Sequence, residues 1–169
     1  REVGTHTLSY AAALKSSVKQ KADVVLIGEI RDMETAEAAL HIAEAGSLVF
    51  STLSTADSMQ TIERIVNLFP VERHRQINLR LAANLKAAIS QILLPRADGK
   101  GMVAAREIMI SNPTIESAIR EGKTPQIYNA IEGGTAAGMI NMDKSILRLA
   151  RNKIVTYQAA LEKCHHPEA

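Results

Sequence analysis

The segment best placed to do chemistry is Asp23-Val24-Val25-Leu26-Ile27-Gly28-Glu29-Ile30-Arg31-Asp32. A short apolar run, rich in branched residues, ends abruptly in Gly-Glu. Val24 to Ile27 is too short for a helix and suits a parallel strand buried on both faces. Open α/β sheets bind ligands at the carboxyl ends of such strands. A carboxylate there, Glu29, can reach the water shell of a Mg2+ ion or orient an attacking water. Gly28 leaves room for a ligand or a neighbouring chain to approach. The same residues also allow a plainer arrangement, with Glu29 a surface carboxylate paired with Arg31 and Gly28 the start of a turn.

Other polar groups read more plainly. Ser51, Thr52, Ser54 and Thr55 lie at the end of a second apolar run, Leu48 to Leu53, as a polar strand end. Arg73, His74, Arg75 and Arg80 form a basic stripe that reads as a solvated helix face. Met102, Met109, Met139 and Met142 read as core filler. Asp98-Gly99-Lys100-Gly101 is a turn between strands, with no helix after it to cradle a phosphate. Gly133-Gly134 and Gly138 bracket a loop and need no function.

The elements that must position Glu29 follow from hydrophobic periodicity. Thr7 to Lys19 reads as a helix, followed by the strand Val24 to Ile27. Asp32 reads as the N-cap of a helix over Met33 to Ala45 that stops at Gly46. Leu48 to Leu53 is a second buried strand. Asp57 or Ser58 caps a helix running to about Leu68, and Pro70 opens another with Ile77, Leu81 and Leu85 on its apolar stripe. Ile92 to Pro95 and Met102 to Ile110 flank a Gly-containing turn, as in a β-hairpin. Asn112-Pro113 and Thr124-Pro125 each start a short helix. Two more helices follow, near Met142 to Asn152 and from Thr156 to Lys163. The expected class is α/β: a parallel sheet covered on both faces, a hairpin, then a small helical subdomain. The boundary is expected near residue 110, giving units 1–110 and 111–169.

Bulk composition narrows the function classes. The chain has 169 residues, 46 % hydrophobic and 22 % charged, with a net charge of +2. That describes a globular domain, and the small charge gives no footprint for nucleic acid. Aromatic residues make up 3 %, leaving few side chains on which single-stranded bases could stack. The single cysteine, Cys164, excludes a disulfide framework and a Cys-rich zinc site. With His165 and His166 it reads as a solvated tail. No apolar run approaches the ~18 residues of a membrane span. A start at Arg-Glu-Val-Gly without Met reads as a piece of a longer protein.

The Val24-to-Asp32 segment resembles the Walker B signature of the type II/type IV secretion ATPase superfamily, in which Gly-Glu stands where many P-loop enzymes have Asp-Glu. The resemblance continues through Ala43-Glu44-Ala45-Gly46-Ser47-Leu48-Val49-Phe50-Ser51-Thr52-Leu53-Ser54-Thr55 and Arg64-Ile65-Val66-Asn67-Leu68-Phe69-Pro70. It then runs through Ile89-Ser90-Gln91-Ile92-Leu93, Val103-Ala104-Ala105-Arg106-Glu107-Ile108-Met109 and Ala118-Ile119-Arg120-Glu121 to Gly138-Met139 and Asp143. It covers most of the chain, in order and at matching spacing. Leu94 to Gly101 passes into the next strand without the four-cysteine zinc insertion of the assembly branch. This favours the branch that retracts type IV pili in twitching motility.

The resemblance implies the C-terminal half of a RecA-like P-loop ATPase core. It implies ATP and Mg2+ as cofactors of the longer protein, with Glu29 acting through Mg2+-bound water rather than as a direct metal ligand. It places Gly28, Thr52 and Ser54 at the nucleotide, and Arg31, Asp32, Ile119, Arg120 and Glu121 at a subunit interface or output surface. Pro113 to Glu121 resembles the family's retraction-linked helix. The implied assembly is a homo-hexameric ring that meets an inner-membrane platform protein at the pilus base. It would lie on the cytoplasmic side, without nucleic acid and with a paralogous ATPase as a further partner. Two departures stand out. Ser47 and Ser54 occupy positions where the family has histidine, and serine cannot carry a positive charge. Lys15 and Lys19 stand where relatives carry arginine and lack its bidentate fork. The departures leave an alternative: a non-catalytic or regulatory ring subunit assembling with an active paralogue. The pattern G-x-x-x-x-G-K-[ST], which would cradle phosphates in backbone amides, occurs nowhere in the chain, and neither does the family's acidic box. The chain alone is therefore expected to be inactive.

Overall fold

The computed structural model describes residues 4–164; the side chains of Ala11, Lys15, Ser17 and Val18 are outside that description. The expectations for Lys15, His165 and His166 therefore fall outside the described residues. Helix α1 spans Tyr10–Lys19, and strand β1, Val24–Ile27, follows it. Next come helix α2 (Met33–Glu44), strand β2 (Leu48–Ser51) and helix α3 (Ser58–Asn67). A 3-10 turn at Val71–Arg73 leads into helix α4, His74–Asn84. Strands β3 (Ala87–Pro95) and β4 (Met102–Ile110) form the hairpin, and helices α5 (Pro113–Arg120), α6 (Pro125–Gly133), α7 (Met142–Arg151) and α8 (Tyr157–Leu161) complete the chain.

Helix starts follow the side chains that accept orphan amides. Asp32 accepts the Thr35 amide, Asp57 that of Gln60, Asn112 that of Ile115 and Asn141 that of Lys144. Thr124 makes no cap: its hydroxyl donates to Glu63 Oε1 at 2.6 Å, tying α6 to α3. Helix α4 begins later than Pro70 suggests, because Pro70 leads first into the 3-10 turn. Strand β3 begins at Ala87, five residues before the expected start at Ile92.

β1 and β2 pair in parallel, Val24 with Leu48 through Ile27 with Ser51. They are not buried on both faces. Ile27 is enclosed, whereas Val24, Leu26, Leu48 and Phe50 are exposed. Alternate residues point to opposite faces, and within the described residues helices cover one face only. In the hairpin, β3 and β4 pair antiparallel from Ala87 with Ile110 to Pro95 with Met102. Its loop closes where the Arg96 amide donates to the Gly101 carbonyl at 3.0 Å. Asp98 accepts from the Arg96 guanidinium and the Lys100 amide, and Gly99 and Gly101 take positive φ. The Ala97 amide fastens the loop to Ile154 O at 2.8 Å.

Apolar side chains gather in two clusters. The first joins Ile27, Ile42, Ile62 and Ile77 to Ile115, Ile119, Ile127 and Ile131, so α5 and α6 pack with α2–α4. Each such isoleucine contributes roughly 2 kcal/mol of burial. The second joins Leu94 and Ala105 of the hairpin to Met142, Ile146, Val155 and Ala160. Met109, Met139 and Met142 are core residues as expected, but Met102 is exposed. Gly134 has a packing reason: a Cβ there would stand 2.2 Å from Met139 Cε.

Within the basic stripe Arg75 is exposed as expected, but Arg73 and Arg80 do not lie on a solvated face. Arg73 pairs with Glu37 at 2.6 Å and stacks over the Phe69 ring, while Arg80 bridges Glu37 and Glu44 at 2.5 and 2.6 Å. These pairs lock α4 against α2. Guanidinium groups offer a planar fork that suits such bridges.

Candidate functional site at the end of strand β1

The β1–β2 ladder ends at Ile27 and Ser51, and the chain beyond it is fixed by other contacts. The Gly28 amide donates to Tyr10 Oη at 3.0 Å. The Thr52 hydroxyl donates to the Gly28 carbonyl at 2.5 Å, and the Ile30 amide donates to the Thr52 carbonyl at 3.1 Å. Glu29 thus projects from a backbone fastened on both sides. Its Oε1 accepts the Ser54 hydroxyl at 3.1 Å, and its Oε2 accepts Arg31 Nε at 2.7 Å. The Arg31 guanidinium, then the Ser54 hydroxyl, hold the Glu29 carboxyl below the usual carboxylate range. It is therefore ionised at neutral pH.

A cavity of about 330 Å³ opens at this point, lined by Glu29, Arg31, Ser54, Gln60, Glu63, Arg64 and others. A Cβ on Gly28 would meet only Tyr10 Oη, at 3.8 Å. Nothing within the described residues demands glycine there, so the open side is free for an approaching group. Glu29 with nearby hydroxyls is a hard oxygen set of the kind Mg2+ prefers. Among the described residues no group of three or more His, Cys, Asp and Glu could hold a metal. One carboxylate and its neighbouring hydroxyls are too few to enclose such an ion alone; Glu29 would reach it through water, with a phosphate ligand supplying the rest.

Among the other candidates, Asp32 accepts the Thr35 amide at 2.8 Å, and that bond holds its carboxyl below its ordinary range. Arg31 is exposed apart from its pairing with Glu29. Ile119 is fully enclosed and could act in output only by positioning its neighbours. Arg120 is exposed, and Glu121, also exposed, pairs with Lys123 at 2.7 Å. The structure brings Gly28, Glu29, Arg31, Thr52 and Ser54 together and leaves Ile119, Arg120 and Glu121 on α5 and its C-cap. Sequence reasoning missed Tyr10, which lies 18 positions from Gly28 with no local pattern to mark it. It also missed Glu107, a lone acid on the inward face of β4 between Ala105 and Met109; that alternation was the available signal.

Residues 3–159 match the family described as Type II/IV secretion system protein. The chain belongs to that family. A twitching motility protein of Neisseria gonorrhoeae is 43% identical over 169 residues, covering 100% of this chain and 45% of the relative. The type IV pilus retraction ATPase PilT of Pseudomonas aeruginosa is 41% identical over 168 residues, 99% of this chain and 48% of its own length. This secretion-family chain thus spans less than half the length of those relatives. A crystal structure of the pilus retraction motor PilT with bound ADP superposes with a TM-score of 0.88 at 39% identity, covering 99% of this chain and 47% of that one. The ATPase DotB of Legionella pneumophila shares the fold alone, with a TM-score of 0.79 at 24% identity over 94% of this chain and 43% of that one. The expected architecture, part of a RecA-like ATPase core with parallel strands, a hairpin and a helical region, is the one observed, except that the described residues cover only one face of the parallel pair. Among the described residues no helix is long and apolar enough to cross a membrane.

Proposed function

We propose that this chain is the strand-end half of an ATP-hydrolysing motor that powers type IV pilus retraction and twitching motility. The observation that carries the reading is Glu29: an ionised carboxylate beyond a parallel strand, on fixed backbone, facing a cavity of about 330 Å³. The relatives named as pilus retraction ATPases support it. In the longer protein this end of the sheet would take ATP with Mg2+, which when bound would supply charge neutralisation at the phosphates. Glu29, held by Ser54 and Arg31, would orient water at the outer shell of such an ion. The open side of Gly28 admits the phosphates. Ser54 keeps one Glu29 oxygen in place, and Thr52 holds the backbone beneath it. The motor acts as a homo-hexameric ring on the cytoplasmic side of the pilus base, against an inner-membrane platform protein and beside a paralogous ATPase. Arg120 and Glu121, exposed on α5 and its C-cap, with Arg31 and Asp32, serve subunit contact or output.

A second reading rests on a specific contact. Both Glu29 oxygens are already engaged, by Ser54 and Arg31, which suits a regulatory ring subunit as well. Turnover of MgATP by the full-length protein, with Glu29→Gln beside it, separates the two. A loss of about a hundredfold or more in kcat with folding intact supports the motor. Absence of turnover in the wild type, alone and with a paralogue, selects the regulatory subunit.

A further inference from the structure

The peptide that carries Glu29 lies beyond the last pair of the β1–β2 ladder, yet its neighbours are tied down. Tyr10, at the start of α1, accepts the Gly28 amide at 3.0 Å, and Thr52 donates to the Gly28 carbonyl at 2.5 Å. The Thr52 carbonyl then takes the Ile30 amide at 3.1 Å, so residues on both sides of Glu29 are fastened. We propose that Tyr10 and Thr52 are positioning residues: a two-sided clasp on Gly28 that aims the Glu29 carboxylate at the cavity.

This inference rests on the ATPase reading above. Gly28 has no side chain, so packing cannot fix its peptide, and glycine backbone is the freest of all. A carboxylate works as a catalyst only when held near one geometry, and small displacements are costly. The clasp supplies that restraint from two elements distant in sequence. Tyr10 is 18 positions before Gly28, and Thr52 is 24 after it. Neither side chain needs to touch the nucleotide. Thr52 has its hydroxyl proton committed to Gly28, which makes holding backbone its first role.

The test uses the full-length protein. Tyr10→Phe removes one oxygen and keeps the ring; Thr52→Val removes the donor and keeps the shape. Each is expected to lower kcat for MgATP about fivefold, the worth of one ordinary hydrogen bond in preorganisation, with KM for ATP unchanged. Thr52→Ser keeps the donor and is expected to restore the wild-type rate. Amide exchange at Gly28 is expected to quicken in Tyr10→Phe with no change in melting temperature. Wild-type kcat in Tyr10→Phe and Thr52→Val, beside an inactive Glu29→Gln, would sink the clasp alone. A Thr52→Ser variant as slow as Thr52→Val would also sink it. Full turnover in Glu29→Gln would remove the ATPase reading and the clasp together.

Discussion

Glu107 Oε1 accepts the backbone amide of Ser58 at 2.8 Å, across 49 positions of sequence. The other oxygen of this buried carboxylate accepts the Met142 amide at 3.3 Å. Ser58 and Met142 are the first residues of α3 and α7, so two helix N-termini converge on one negative charge in β4. The positive ends of both helix dipoles favour it there. The contact joins the two apolar clusters, since α3 belongs to one and α7 to the other.

Replacing that carboxylate should be costly even when shape is kept. Glu107→Gln can satisfy one amide with its carbonyl but turns an NH2 group toward the other. One buried donor is then unsatisfied, and the expected loss is about 2 kcal/mol in denaturant unfolding. Glu107→Leu, which leaves both amides without a partner, is expected to lose more.

Gly28→Ala separates folding from function. The added methyl meets only Tyr10 Oη, at 3.8 Å, and the backbone is not in the left-handed region. Stability should change by less than about 0.5 kcal/mol. Turnover of MgATP by the full-length protein should fall about tenfold or more, because the methyl occupies the phosphate's approach. A wild-type rate would mean that the ligand does not approach Gly28.

Arg80→Met tests the bridge between α4 and α2. Burial raises the Glu37 carboxyl, but the Arg80 and Arg73 guanidinium groups outweigh it and the net shift is downward. Arg80 likewise lowers Glu44. Depressed carboxylates stabilise the fold above their unfolded values, and that contribution is lost as pH falls through the folded ones. Both acids are partly exposed, so the expected cost at pH 7 is only about 1–2 kcal/mol. The gap between wild type and variant should close in melts below about pH 4.

Tyr128 predicts an alkaline limit. Burial, then the Asp143 carboxylate, push its phenol up to about 12. The folded state thus favours the neutral phenol. Its contribution is complete below the unfolded value of about 10 and disappears as pH rises through about 12. Tyr128→Phe should flatten the decline in stability across that window. At pH 7 it should cost about 1 kcal/mol, the worth of an ordinary hydrogen bond such as the 3.3 Å one to Asp143.

Local rules made much of the fold legible. Asp32, Asp57 and Asn112 announce their helices, and the β1 boundaries fall where the apolar run begins and ends. The start of β3 is hidden because Ala87, Ala88, Ser90 and Gln91 carry little strand signal and leave Ile89 isolated; pairing with Ile110 through Arg106 supplies it. Thr124 looked like a cap until Glu63, 61 positions away, claimed its hydroxyl. Glu29 could be singled out from sequence because its strand end is local. Its contact with Ser54 spans 25 positions and that of Gly28 with Tyr10 spans 18, distances at which only the folded chain decides which side chains meet. The exposed face of β1 and β2 was equally invisible, because an apolar run reads the same whether one face is covered or two.

The hairpin loop carries a consequence for how such a chain can change over evolutionary time. Arg96 and Gly101 close the loop before its tip, and Ala97 anchors its base to Ile154. Residues added between Asp98 and Lys100 would lengthen the tip without shifting any pair of β3 and β4, and closing a somewhat longer loop costs little. The tip is therefore a natural splice point, where a lineage can graft a new module, or an experimenter a fluorescent tag, while the register beneath stays inherited.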